Sequence, residues 1–139
     1  MRVPSKRQVE GVVVKLLHEK RADRGMTLAS YETRCVRQGE IHELVTTDQY
    51  DARRGDRIDR VGFLGFIEVT RPGVVEAGDE VVHDGEVLGV VLGFDECHFP
   101  NHYNILVASR RILAAEDADL YVEAQILFRE VNHQKGDLA

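Results

Sequence analysis

Cysteine is scarce, long apolar runs are missing, and no known catalytic signature occurs anywhere in the chain. Two cysteines in 139 residues exclude a miniprotein stapled by disulfides. Cys35 and Cys97 are far apart in sequence and read as reduced thiols. The most apolar stretch near the start, Val12-Val13-Val14-Lys15-Leu16-Leu17, is broken by Lys15 and followed at once by His18-Glu19-Lys20-Arg21. It is too short for a secretory signal or a membrane helix, so a cytoplasmic protein with no membrane partner is expected. Basic charge is also in deficit. With 18 Lys and Arg against 24 Asp and Glu, the net charge is -6, which argues against a nucleic-acid partner. Phosphate-binding glycine loops, nucleophile elbows and dinucleotide fingerprints are absent.

What is present is an ordinary globular composition, 43 % hydrophobic and 30 % charged, on a length that suits one domain over 1–139. Its ends, 1–8 and 132–139, are expected to be loosely ordered tails. Apolar residues recur mostly at a period of two, so strands dominate. Val9 to His18 and Leu28 to Val36 alternate, Ile41 to Thr46 alternates more weakly, and Thr47 to Gly55 reads as a polar loop or short helical turn. Ile58 to Val69 and Val87 to Phe94 are apolar on both faces and interrupted by Gly62, Gly65, Gly89 and Gly93, as in strands that bend while buried on both sides. Leu120 to Val131 fits a strand with one apolar face better than a helical stripe. The predicted fold is all-β, with at most one short helix: a small closed or partly open β-barrel of about seven to eight strands. A faint echo, Gly55-Asp56 and Gly78-Asp79 each ahead of a glycine-studded strand, suggests two similar hairpin arms. Because Phe63, Leu64, Phe66 and Ile67 crowd both faces of one strand, a homo-oligomer, most simply a dimer, is expected.

Chemistry concentrates in one loop. From Asp95 to Tyr103 it holds two carboxylates (Asp95, Glu96), the Cys97 thiol, the His98 and His102 imidazoles, Asn101 and Tyr103, with Asn104 following. Imidazole, thiol and carboxylate are the usual ligands of transition metals, and imidazole is the usual proton shuttle near neutral pH. Pro100 disfavours a helix here. In an extended chain His98 and His102 would stand roughly 13 Å apart at strand rise, so only a bend such as Pro100-Asn101 brings them together. Three readings stand side by side: a wide hairpin loop whose polar groups merely satisfy the backbone, with Cys97 a small core residue; a divalent transition-metal site using His98 and His102 with Cys97, Asp95 or the distant His83; and a metal-free pocket in which Asn101, Tyr103 and Asn104 bind a small molecule. The Asp51–Arg60 segment reads as a self-paired rim, although Arg54 and Arg57 could hold an anion.

The pattern Gly93-Phe94-Asp95-x-x-His98-x-Pro100-Asn101-His102-x-Asn104-Ile105, with Gly78-Asp79 ahead of it, resembles a small bacterial family of single-domain β proteins of unknown function, mainly over residues 55–128. That resemblance implies a stand-alone β-barrel-like domain and no activity or cofactor. The layout of Gly-Asp turn and buried strand is also similar to the small barrel of sugar-specific phosphotransferase carrier proteins. No clear counterpart of their phosphorylated histidine is present, so no role is carried over. Two functions follow from the loop. One is a small-ligand-binding or assembly module with a pocket near Asp95–Asn104. The other is a small lyase, isomerase or hydrolase in which His98 and His102 act as metal ligands or acid–base groups, with Asp95 a further catalytic candidate and Asp95 or Glu96 orienting an imidazole.

Overall fold

The computed structural model describes residues 3–131, and the expected loose ends at 1–2 and 132–139 lie outside them. Twelve strands account for the regular structure: β1 (Val9–Leu16), β2 (Lys20–Arg21), β3 (Met26–Thr27), β4 (Thr33–Val36), β5 (Ile41–Thr47), β6 (Arg57–Ile58), β7 (Val61–Arg71), β8 (Gly73–Glu76), β9 (Glu80–His83), β10 (Glu86–Asp95), β11 (Asn104–Ala108) and β12 (Gln125–Arg129). A 3-10 turn at Ala115–Ala118 is the only helical element among the described residues. Seven strands hydrogen-bond in a ring, β1-β12-β9-β10-β11-β5-β7, which closes through β7 onto β1. The fold is all-β, and every pairing in the ring is antiparallel except β11 with β5.

Tight curvature is possible because side chains are missing at the bends. Gly65 has φ +145°, and a Cβ there would run into the carbonyl of Lys15, beside the register shift between Val13 and Lys15. The ring interior is filled by residues that directly oppose one another across four strands: Phe94 with Ile105, Ile105 with Leu44, and Leu44 with Gly65.

A second core lies on the outer face of the same strands. Residues in the next register row, Leu106, Val45 and Phe63, are covered by Met26 and Leu28 from one arm and Ile58 from another, the two arms being joined through β3 and β6. Two layers of apolar packing explain why Ile58 to Val69 and Val91 to Phe94 are apolar on both faces, whereas Val87 and Val90, expected to be buried, are exposed along a cleft. The two layers also account for the crowded strand: Leu64 and Ile67 enter the inner core and Phe63 the outer one, so burying them requires no second copy.

Three expectations are refined. Leu28 is not in a strand: the segment leaves the ladder to place Leu28 over Gly93, and only Thr33–Val36 pairs, with β8. Strand β12 starts at Gln125, after a turn in which Glu123 takes φ 76°. The Gly-Asp echo is a repeated turn rather than a repeated arm. In both turns the aspartate Oδ2 accepts an N–H three residues back, Asp56 from Arg53 and Asp79 from Glu76, each at 2.8 Å. The first turn feeds β6, which pairs with β3, while the second feeds the β9–β10 hairpin. In the N-terminal stretch, Lys6 meets the buried Asp79 and Ser5 meets Glu130. No helix is long and apolar enough to cross a membrane among the described residues.

Candidate functional site

One pleat repeat along from the outer apolar row, the same strands carry a polar row. Asp95 opposes Asn104, Asn104 opposes Glu43, and Glu43 opposes Phe66. Directly opposed residues share a sheet face, so these side chains lie beside Leu106, Val45 and Phe63. Three of the four are buried polar groups, Asp95 at 2 %, Asn104 at 0 % and Glu43 at 5 % exposure. Buried polar groups need partners, and the 96–103 loop and the Arg24–Ala29 segment supply them.

Asp95 anchors both. Its Oδ1 accepts the Cys97 N–H at 2.9 Å and the Asn104 amide at 2.8 Å, and its Oδ2 accepts the Thr27 N–H at 2.8 Å. Burial pushes the carboxyl up, but the Cys97 thiol, these two N–H groups and the Asn104 amide outweigh it and hold Asp95 below the usual carboxylate range. Its acceptor positions are thus occupied by Thr27, Cys97 and Asn104, which makes it a scaffold group rather than a free acid or base. The Asn104 carbonyl oxygen is buried without a partner.

The loop then bends at a cis Phe99–Pro100 bond, with Asn101 N–H bonded to His98 O at 2.8 Å. This turn brings the His98 and His102 rings to 5.0 Å between centroids. His102 is buried, packed edge-on against Phe66, with Nε2 3.1 Å from Glu43 Oε1. The Asn101 amide nitrogen lies 3.0 Å from His102 Nδ1, so Nδ1 accepts and Nε2–H points at Glu43. His98 is exposed, and its Nε2 accepts from Arg24 Nη2 at 2.9 Å. Among the described residues one set of three metal-capable groups converges, Glu43, His98 and His102, with their donor atoms within 4.8 Å of one another.

The other candidate residues are placed differently. Cys97 reaches solvent rather than the core, and its sulfur accepts from Asn104 at 3.3 Å and Arg24 at 3.6 Å. Desolvation and the Asp95 carboxylate push its thiol up, which works against a thiolate ligand. His83 stands apart, against Tyr121 and the Gln125 carbonyl. Tyr103 is sandwiched by Arg34, 3.5 Å above its ring, and by His42 and Phe99. Glu96 accepts from the Tyr31 hydroxyl at 3.0 Å. The arginine rim is paired only in part within itself: Arg57 meets Asp59, whereas Arg54 and Arg60 meet Glu32 and Asp48 outside the segment. A larger cleft, about 780 Å³, lies away from the loop and is lined by Val87, Leu88, Val90, Ala108, Arg110 and Leu113 among others.

Glu43 and Arg24 escape a reading of the sequence. They join the loop across 59 and 74 residues, through the parallel β5–β11 pairing and the turn ahead of β3. The available signal is that Glu43 interrupts an otherwise apolar strand face.

The chain belongs to a family of unknown function (DUF6917), which matches residues 3–129. No curated protein and no solved structure matches it.

Proposed function

We propose that this protein holds one divalent transition-metal ion at Glu43, His98 and His102 and uses it to bind and process a small molecule on the outer face of the strand ring. The convergence of those three donor atoms within 4.8 Å carries the proposal. Tetrahedral nitrogen and oxygen ligands about 2.1 Å from a metal stand about 3.4 Å apart, so a small inward movement of the exposed His98 would complete the set. Two ligands are buried on rigid strand and loop positions, and the third is open to solvent. Three protein ligands with a free position are the pattern of a metal site that meets a substrate rather than one that only braces a fold. Such an ion would supply Lewis acidity and an activated water. Ligation through His102 Nε2 requires the Asn101 amide to turn so that its oxygen accepts the Nδ1 proton, and the unpartnered Asn104 side-chain oxygen lies on the ladder position beside Glu43.

The test is elemental analysis and cobalt titration of the purified chain beside His98→Ala. One equivalent of metal in the wild type, with affinity at least about 100-fold lower in the variant, is the expected result. No retained metal after loading with zinc or cobalt would overturn the proposal. The 780 Å³ cleft supports the alternative, small-ligand binding without a metal, since its size is typical of ligand pockets. A ligand bound there would be indifferent to His98→Ala.

A further inference from the structure

Arg24 occupies an unusual position for a cation in this chain. Its root is fixed: the Arg24 N–H donates to Asp59 O at 3.1 Å, and the Gly25 N–H to Asp59 Oδ1 at 2.9 Å. Its guanidinium reaches across to the loop, where Nη2 meets His98 Nε2 at 2.9 Å and Cys97 Sγ at 3.6 Å. Arg21, Arg54, Arg57, Arg60, Arg71, Arg111 and Arg129 each lie within 4.0 Å of a carboxylate. Arg24 has no carboxylate ion pair among the described residues, nor do Arg7, Arg34, Arg37, Arg53 and Arg110, and what sets Arg24 apart is that its guanidinium meets an imidazole of the convergent cluster. The guanidinium therefore engages a lone pair that a metal ligand would offer, while Nε and Nη1 carry no described hydrogen bond.

We infer that Arg24 is the anion-binding arm of the metal site, so that the site takes a cation together with a carboxylate-bearing small molecule. The inference rests on the metal reading above. A guanidinium and a divalent ion competing for His98 Nε2 repel one another, and an anion between them removes the repulsion. An arginine fork is the side chain best matched to a carboxylate. Metal alone is disfavoured by Arg24, and metal with a carboxylate is favoured by it.

The experiment follows cobalt binding to the full chain by visible absorption, in wild type and Arg24→Gln, with acetate or neutral acetamide at constant ionic strength. Thermal melting confirms that the variant is folded. Removing the competing charge should tighten cobalt alone about tenfold. Acetate, but not acetamide, should tighten cobalt in the wild type and have no effect in Arg24→Gln. Cobalt binding that is unchanged or weaker in Arg24→Gln, or equal acetate effects in both proteins, overturns the role of Arg24 and leaves the metal site standing. Binding by neither protein overturns both.

Discussion

Two rows of side chains cross the same four strands and face the same way, one pleat repeat apart. Gly93, Leu106, Val45 and Phe63 make up the first, and Asp95, Asn104, Glu43 and Phe66 the second. The first is closed by Leu28, which sits where Gly93 leaves room: a Cβ on Gly93 would stand 2.6 Å from the leucine Cδ1. The second is closed by hydrogen bonds from Thr27 and Cys97 to Asp95 and from His102 to Glu43. One chain segment, Met26–Ala29, serves both, with Leu28 capping the apolar row and the Thr27 N–H capping Asp95. Burial of equal depth thus has two meanings. The apolar row can only add stability, whereas the polar row loses solvation and recovers it through oriented partners, leaving donor atoms pointed at one place.

If this division is right, damage to the apolar row should cost the most stability and leave the site chemistry intact. Leu28→Ala removes a fully buried side chain, and we expect a loss of about 4 kcal/mol in chemical denaturation. Metal affinity of the folded fraction should match wild type. A loss below about 1 kcal/mol would mean that the outer cover is not a true second core. Asp95→Asn should come next, at about 2 kcal/mol, because the new amide can accept from one side only and faces the Thr27 N–H with a donor or leaves it unpaired. Unlike Leu28→Ala, it should also raise hydrogen exchange throughout residues 96–103.

The two rows differed as much in legibility as in role. Strand β7 and the second half of β10 were readable because apolar residues on both pleat faces force cover on both sides, and the glycines among them mark the bends, whereas the same pattern misleads at Val87 and Val90, which stay exposed. The loop was readable because seven polar side chains crowd between two apolar strands. What could not be read was the third member of the convergent cluster. Glu43 stands in a segment that alternates like a half-exposed strand. Only the parallel register of β5 on β11, a long-range feature with no local signature, sets it beside Asn104 and under His102. The same holds for Asp95. Its residue type suggests an acid or ligand, whereas its burial and its donors make it a scaffold. Local pattern reports which groups are available, and only topology reports which of them remain free.

Acid should open the polar row before the apolar one. A carboxyl depressed by folding stabilises the native state above its unfolded value, about pH 4, and that contribution is lost as the pH falls through the lower folded value. Asp95 is such a group. Melting temperatures should therefore fall more steeply below pH 4 in the wild type than in Asp95→Asn, while above pH 5 the two curves should run parallel. Parallel curves throughout would show that Asp95 does not hold the loop through its charge.

The smallest effect expected is also the most specific. Asn101 is exposed and buries almost nothing, so Asn101→Ala should change stability by less than about 0.5 kcal/mol. Yet its amide is the hydrogen-bond partner of His102 Nδ1, and by turning over it can present either its nitrogen or its oxygen to that atom. With nitrogen presented, the proton sits on Nε2 and faces Glu43. With oxygen presented, Nδ1 carries the proton and Nε2 is free for a metal. Losing this adjustable partner should weaken cobalt binding about tenfold, as for other groups that orient a ligand. It should also shift the ring ¹⁵N resonances of His102 toward a mixture of tautomers. Asn101→Gln, which can still reach with an amide, should recover part of both effects. A variant with wild-type cobalt affinity and unchanged His102 resonances would show that the turn, and not the asparagine, orients the histidine.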